Sequence, residues 1–348
     1  MLVLLFIGHV KGYFPRIEKY LQWTWSPFGF FSMGEGFVFA SAVTTGISLA
    51  HLTSISDMYK KLIPRVWRIF KFQVFLSAFA VIALLYYRGT FEPGDPFYPV
   101  RGNSLLYMVL ISVGLYSIPM LEILPLYMLL LLCASPIRAG FRTRWRWLVF
   151  AASSSLWLFC QLYEIRPQFY FNIFNTFNPL AWQILFVIGL YYGAEVLPRR
   201  GVSPVKSART TNSIHIACVA LVLCLFALRH QLLSPSSLGL PSSLLGTRRH
   251  VLPLLTIVNL LAFCHCLRLI APFKSEGHAA LRWFSEWVGR ESLLVFSWSI
   301  FIYYFLALIS FNYNRYTPME QGIIFTTALA SILIPVAIKR LTARARAD

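Results

Sequence analysis

Two titratable residues stand where an apolar sequence least tolerates them. His9 closes an apolar stretch at the start of the chain, and Glu35 lies six residues into a second apolar run from Gly29 to Leu52. About 20 apolar residues suffice to cross a bilayer, and a carboxylate inside such a run costs at least ~2–3 kcal/mol. It therefore needs a partner, water or a task. An imidazole, with an ordinary pKa near ~6.5, is suited to act as a general base. A carboxylate that accepts the proton on its other ring nitrogen would fix the tautomer, as in a catalytic triad. The structural reading is that a histidine at a membrane helix end snorkels or hydrogen-bonds without any catalytic role.

Other polar residues carry the same two readings. In Phe177-Asn178-Pro179-Leu180-Ala181-Trp182-Gln183, Asn178 and Pro179 make a helix start, and Gln183 is a donor–acceptor group one turn into the membrane. It serves either an interhelical hydrogen bond or a polar wall for substrate, together with Asn178 and Trp182. Glu122, before Leu124-Pro125-Leu126-Tyr127, is a second near-membrane carboxylate. Glu122 and Tyr127 are candidate substrate-binding residues. Glu164 and Arg166 are spaced for a local ion pair, which reads as structural. The triplet Cys264-His265-Cys266 looks like a metal cluster, but helix neighbours one and two apart point in different directions. The six cysteines all lie in apolar segments, so no metal site and no disulfide framework is expected. The sequence has no phosphate-binding glycine loop, no Gly-x-Ser-x-Gly elbow and no His-Glu-x-x-His zinc motif, which argues against ATPases and metalloproteases.

The elements that must position these residues are membrane helices. The chain has 348 residues, 57% hydrophobic and 13% charged, with mean hydropathy +0.64. A soluble protein carries roughly 25% charged residues. The expected fold is all-α: one polytopic membrane domain over residues 1–348. Apolar segments run over 29–51, 70–87, 119–135, 147–163, 179–197, 213–231, 251–270, 291–310 and 322–338. The opening ten residues give about 15 Å of helix, half a bilayer, and carry neither the basic start nor the cleavage site of a signal peptide.

Charge settles the topology. If 103–135 crosses once and the opening stub belongs to a first helix, five groups share one side of the membrane. They are Lys60, Lys61, Arg65, Arg68 and Lys71; Arg138, Arg142, Arg144 and Arg146; Arg199, Arg200, Lys206 and Arg209; Arg268, Lys274, Arg282 and Arg290; and Lys339, Arg340, Arg344 and Arg346. Together they hold 21 of the 31 basic residues. The positive-inside rule then gives about ten crossings with both termini cytoplasmic, and makes 103–118 re-entrant, interfacial or a tilted extension. The net charge of +18 is thereby assigned to topology and anionic lipid, and nucleic-acid binding is not expected. Loops around 11–28, 88–103, 164–178, 232–250 and 311–321 fall on the extracytoplasmic side. They are aromatic-rich, either as an interfacial belt or as a sugar-stacking surface.

The chain resembles the OpgC family, named for succinylation of osmoregulated periplasmic glucans and related to the acyltransferase-3 group. The resemblance runs nearly end to end. It rests on Phe6-Ile7-Gly8-His9, on Phe28-Gly29-Phe30 with Glu35-Gly36-Phe37-Val38-Phe39, and on Ile123-Leu124-Pro125-Leu126-Tyr127. It continues through Phe177 to Phe186 and Gly289-Arg290-Glu291-Ser292-Leu293-Leu294-Val295-Phe296. It implies a multi-pass protein of the bacterial inner membrane that moves a succinyl or acetyl group onto hydroxyls of a periplasmic glucan or another envelope glycan. The donor implied is a cytoplasmic acyl-CoA, succinyl-CoA or acetyl-CoA, with no tightly bound cofactor. Lipid, the glycan acceptor and glucan-synthesis proteins are the implied partners. His9 occupies the place of the histidine expected to be catalytic on the first helix, and Glu35 that of the acidic residue opening the second. Direct transfer and a covalent acyl-histidine are equally compatible. The rival class is a carrier or flippase for a free or lipid-linked saccharide.

The sequence departs from the family pattern at two points. An Arg-Asp, Asp, Arg-Gly stretch is expected just before the first helix, and the chain starts at Met1 beyond it. Ser-Gly is expected after Phe-Val-Phe-Leu, whereas Ser41 is followed by Ala42. The first expectation is thus that Met1 is internal and the first helix N-terminally truncated. The other is a divergent copy without the basic group near the donor.

Overall fold

The computed structural model describes residues 2–86, 97–116, 118–163, 177–199, 208–233, 252–270, 286, 289, 291–309 and 316–344. All regular structure among them is helical. In chain order the helices are α1 (Leu2–Val10), α2 (Pro15–Leu21), α3 (Met33–Leu49), α4 (Ile55–Tyr86), α5 (Tyr98–Gly102), α6 (Ser104–Ser112), α7 (Ile123–Phe141) and α8 (Arg146–Tyr163). They continue with α9 (Pro179–Tyr191), α10 (Leu197–Arg199), α11 (Ala208–Arg229), α12 (Leu254–Ile270), α13 (Ser292–Ile309), α14 (Pro318–Ala330) and α15 (Leu333–Arg344). A π-turn, Tyr192–Val196, joins α9 to α10.

Large apolar side chains on these helices face outward: Phe75 is 58% exposed, Leu148 60% and Ile216 70%. In water such a surface would drive aggregation; in lipid it is the required exterior, and the helix satisfies its own backbone groups. Four helices among the described residues are long and apolar enough to cross a membrane: Ile55–Tyr86, Ile123–Phe141, Pro179–Val196 and Pro318–Lys339. Each of the other apolar segments read from the sequence also contains a helix. The structure moves one boundary substantially. The segment expected to begin at 70 is the C-terminal part of α4, which starts at Ile55 and passes through Pro64. Segment 103–118 holds only the nine residues of α6, about 14 Å, too short for a crossing of its own.

The helices gather into two compact units. The first comprises Met1–Trp25, Lys71–Leu121 and Phe273–Asp348, and the second Ser26–Phe70 and Glu122–Pro272. In the first unit, α1 packs on α13. Phe6, Val10 and Phe14 form a core with Val295, Ile302, Leu306 and Phe325. In the second unit the tightest pairing is α3 against α9. Here the two backbones touch. A Cβ on Gly46 would stand 2.4 Å from the Leu190 carbonyl oxygen, and one on Gly193 2.1 Å from that of Val43. Small residues spaced four apart, Gly189 and Gly193, provide this close approach.

Candidate functional site

His9 sits in the last turn of α1, where the apolar stripe of Phe6 and Val10 turns the helix into the first unit's core. Its ring meets Phe296 edge-on at 6.1 Å. Nδ1 is buried and has no hydrogen-bond partner among the described residues. Leaving a buried polar atom unmatched costs about 1–3 kcal/mol, so folding alone gives no reason to keep an imidazole there. A ring nitrogen that makes no hydrogen bond is available to a hydroxyl group that comes within reach.

Glu35 belongs to the second unit, and the structure gives its charge a local explanation. The helix starts at Met33, so Glu35 is its third residue, well inside the first turn. Ser32 N donates to Glu35 Oε2 (2.9 Å), Ser32 Oγ donates to the same oxygen, and Gly34 N donates to Ser32 Oγ (3.2 Å). This is a capping box. The carboxylate is only 2% exposed, yet it sits at the helix end whose partial positive charge favours an anion. The apolar run from Gly29 predicts a position inside a crossing; the helix begins only at Met33, so the carboxylate stands in its first turn. Replacing Glu35 with Gln should preserve the cap and leave the thermal midpoint of the purified protein nearly unchanged. Glu35→Ala should lower stability by about 1 kcal/mol.

The backbone before this helix is held by a residue the sequence reading missed. Asn259, fully buried on α12, accepts a hydrogen bond from Phe30 N at its Oδ1 (2.7 Å). Gly29 has φ +114°, and a Cβ there would lie 2.5 Å from Asn259 Oδ1. Only glycine suits the position, which accounts for the middle residue of Phe28-Gly29-Phe30.

The remaining candidates lie in the second unit, near helix starts and helix faces. Asn178 is the N-cap of α9, fully buried, accepting from Leu180 N (3.0 Å) and donating to Cys160 Sγ (3.6 Å). Gln183 Nε2 donates to the Ser153 carbonyl (2.8 Å), and its Oε1 accepts from Ser153 Oγ (2.6 Å). Its amide thus ties α9 to α8. Trp182 is fully buried and packs against Phe177, with ring centroids 4.7 Å apart. Glu122 is buried just before α7. Tyr127, on α7, accepts a hydrogen bond from Arg65 Nη2, and the guanidinium also lies 5.4 Å from its ring centroid. Arg65 Nη1 reaches Thr45 Oγ1 at 3.1 Å. Tyr127 thereby joins α3, α4 and α7 through one cation, a link no local sequence pattern announced.

His265 lies 2.8 Å from His215 of α11, Nε2 to Nδ1. Among the described residues no group of three or more His, Cys, Asp or Glu side chains gathers as a metal site. Glu164, Arg166 and the loop residues 88–96, 164–176, 234–250 and 310–315 lie outside the described residues.

A second polar centre lies at the other end of α3. Arg138, 2% exposed on α7, donates from Nη1 to Glu195 Oε1 (2.6 Å) and from Nη2 to the Ala50 carbonyl (3.1 Å). Beside this pair is a cavity of about 580 Å³ whose lining includes Arg142, Arg144 and Arg146. Sequence reasoning had counted these arginines only as topology markers. Glu195 lies 57 residues from Arg138, so nothing local pointed to the pair.

A family model described as "OpgC protein" matches residues 1–344. No curated protein and no solved structure matches the chain.

Proposed function

The chain belongs to the OpgC family, and on that premise we propose that it is a membrane O-acyltransferase of the bacterial inner membrane. In this reading it moves a succinyl or acetyl group from a cytoplasmic acyl-CoA to a hydroxyl of a periplasmic glucan or another envelope glycan. Ten crossings with cytoplasmic termini and an acceptor entering from outside belong to the same proposal. The family match over nearly the whole chain carries the reading; the open Nδ1 of His9 supports its chemistry.

The proposed step is simple. His9 takes the proton of the acceptor hydroxyl as its oxygen attacks the thioester carbonyl. The carbon–sulfur bond breaks, and the proton passes to the departing coenzyme A sulfur. The products are a glycan ester and free coenzyme A. A thioester is already activated, so the protein supplies proximity, a base and a polarised carbonyl. Glu35 is proposed to serve transfer through its charge, a role that its cap does not require. Glu35→Gln separates the two: transfer falls while stability holds if the charge matters, and both hold if the residue only caps α3. Asn178, Trp182, Gln183, Glu122 and Tyr127 are proposed to shape the acceptor side through the helix starts and faces they fix.

The test is reconstitution. Full-length protein in liposomes, given acyl-labelled coenzyme A thioester and periplasmic glucan, should release free thiol and form a labelled glycan ester in equal amounts. Glucan crossing the membrane without ester formation would instead identify a carrier.

A further inference from the structure

Resting on the acyl-CoA reading above, we propose that the arginine-lined cavity at the C-terminal end of α3 is the site that holds the phosphates of the coenzyme A donor. Four arginines, Arg138, Arg142, Arg144 and Arg146, meet at this cavity against one carboxylate, Glu195. Arg138 is matched by Glu195 and forms the buried floor. Arg142 donates to the Leu52 carbonyl (2.7 Å), which anchors its side chain beside the opening. Arg144 and Arg146 sit over the rings of Trp145 and Trp147, at 4.9 and 5.2 Å. A ring attracts the cation through its face and takes none of its N–H donors. Three cations beyond the one that Glu195 balances therefore surround a space of about 580 Å³. That concentration of like charge repels itself unless an anion enters. Guanidinium forks match phosphate oxygens in pairs, and the volume falls in the range of small-molecule sites, ~300–1,000 Å³.

Three features select the donor's polyphosphate. All four arginines belong to the groups that the positive-inside count assigns to the cytoplasm, where acyl-CoA is made. The π-turn that brings Glu195 to Arg138 is a helix irregularity of the kind found at functional sites. Ala50, on the cavity wall, and Glu35 stand at opposite ends of α3, 15 residues apart, about 22 Å of helix. A donor whose phosphates are held at the cavity would thus lie at one end of α3, with Glu35 at the other.

The experiment uses full-length protein in phosphatidylcholine nanodiscs, titrated with coenzyme A, with inorganic pyrophosphate as competitor. Wild type is compared with the triple variant Arg142→Ala, Arg144→Ala, Arg146→Ala; Arg142 and Arg144 are exposed and Arg146 is half-buried. Coenzyme A should bind, pyrophosphate should compete, and the triple variant should bind about tenfold or more weakly with its melting temperature kept. Coenzyme A bound equally by the triple variant overturns this site and leaves the acyltransferase reading standing. In discs containing phosphatidylglycerol, loss of lipid binding in the variant with coenzyme A unaffected makes this a headgroup site and overturns the proposal. Wild type that binds no coenzyme A overturns both.

Discussion

Substituting His9 with alanine is expected to lower acyl transfer by about 10²–10⁴-fold, the usual contribution of a positioned general base. The measurement is label transfer from acyl-CoA to glucan by reconstituted protein, with the amount of folded protein matched. The imidazole lies at the end of a helix whose neighbours, Phe6 and Val10, are fully buried, so truncation alone could disturb packing. His9→Gln answers that objection. It keeps a polar side chain of similar reach but cannot relay a proton near neutral pH. Loss of transfer in both variants, with melting temperature retained in the glutamine form, assigns the effect to proton transfer. Full activity in His9→Gln would sink the catalytic role. Glycan mass profiles from strains carrying each variant read the same result in the cell envelope.

The second large effect is expected from Gly193. A Cβ at this position would lie 2.1 Å from Val43 O, 2.9 Å from its carbonyl carbon and 3.0 Å from its Cα. These are backbone atoms of a helix, which cannot swing aside as a side chain would. Gly193→Val should therefore push α3 from α9 and destabilise the protein by about 3 kcal/mol or more, the upper part of the overpacking range. The expected readout is a large fall in thermal midpoint and in yield from membranes. Gly322→Ala is the control. Nothing lies within 4 Å of its added Cβ, and it should be neutral or slightly stabilising, since alanine favours helix by about 1 kcal/mol over glycine. Equal behaviour of the two variants would overturn the backbone-contact account.

What the sequence made legible follows from how far each pattern reaches along the chain. Apolar runs and Asn178-Pro179 are local, and the helices appear where they stand, with Asn178 as the cap of α9. Ser32-Met33-Gly34-Glu35 is equally local: serine three residues before glutamate at a helix start. The apolar run masks it, because hydrophobicity begins at Gly29 while the helix begins only at Met33. The start of α4 was hidden for a related reason. Lys60, Lys61 and Arg68 face outward and lower the average hydropathy of its first turns, although the helix continues through them. Gly189-x-x-x-Gly193 was written in the chain, but its meaning depended on Gly46, far away on α3. Arg138 with Glu195, Arg65 with Tyr127, and Asn259 with Phe30 could not be read, because each pairing is made by helix packing and not by spacing.

The π-turn at Tyr192–Val196 also acts as a phase shifter. A helix advances about 100° per residue, so one extra residue in a turn rotates everything beyond it by that angle relative to everything before. Gly189 and Gly193 stay aligned with α3, and within the same turn Glu195 comes round to Arg138. Deleting Ala194 would restore the regular screw, keep Gly189 and Gly193 four apart and carry Glu195 about a quarter-turn away from Arg138. The helix thus holds two orientations at once, one for each end, and a single residue of surplus length lets both be satisfied.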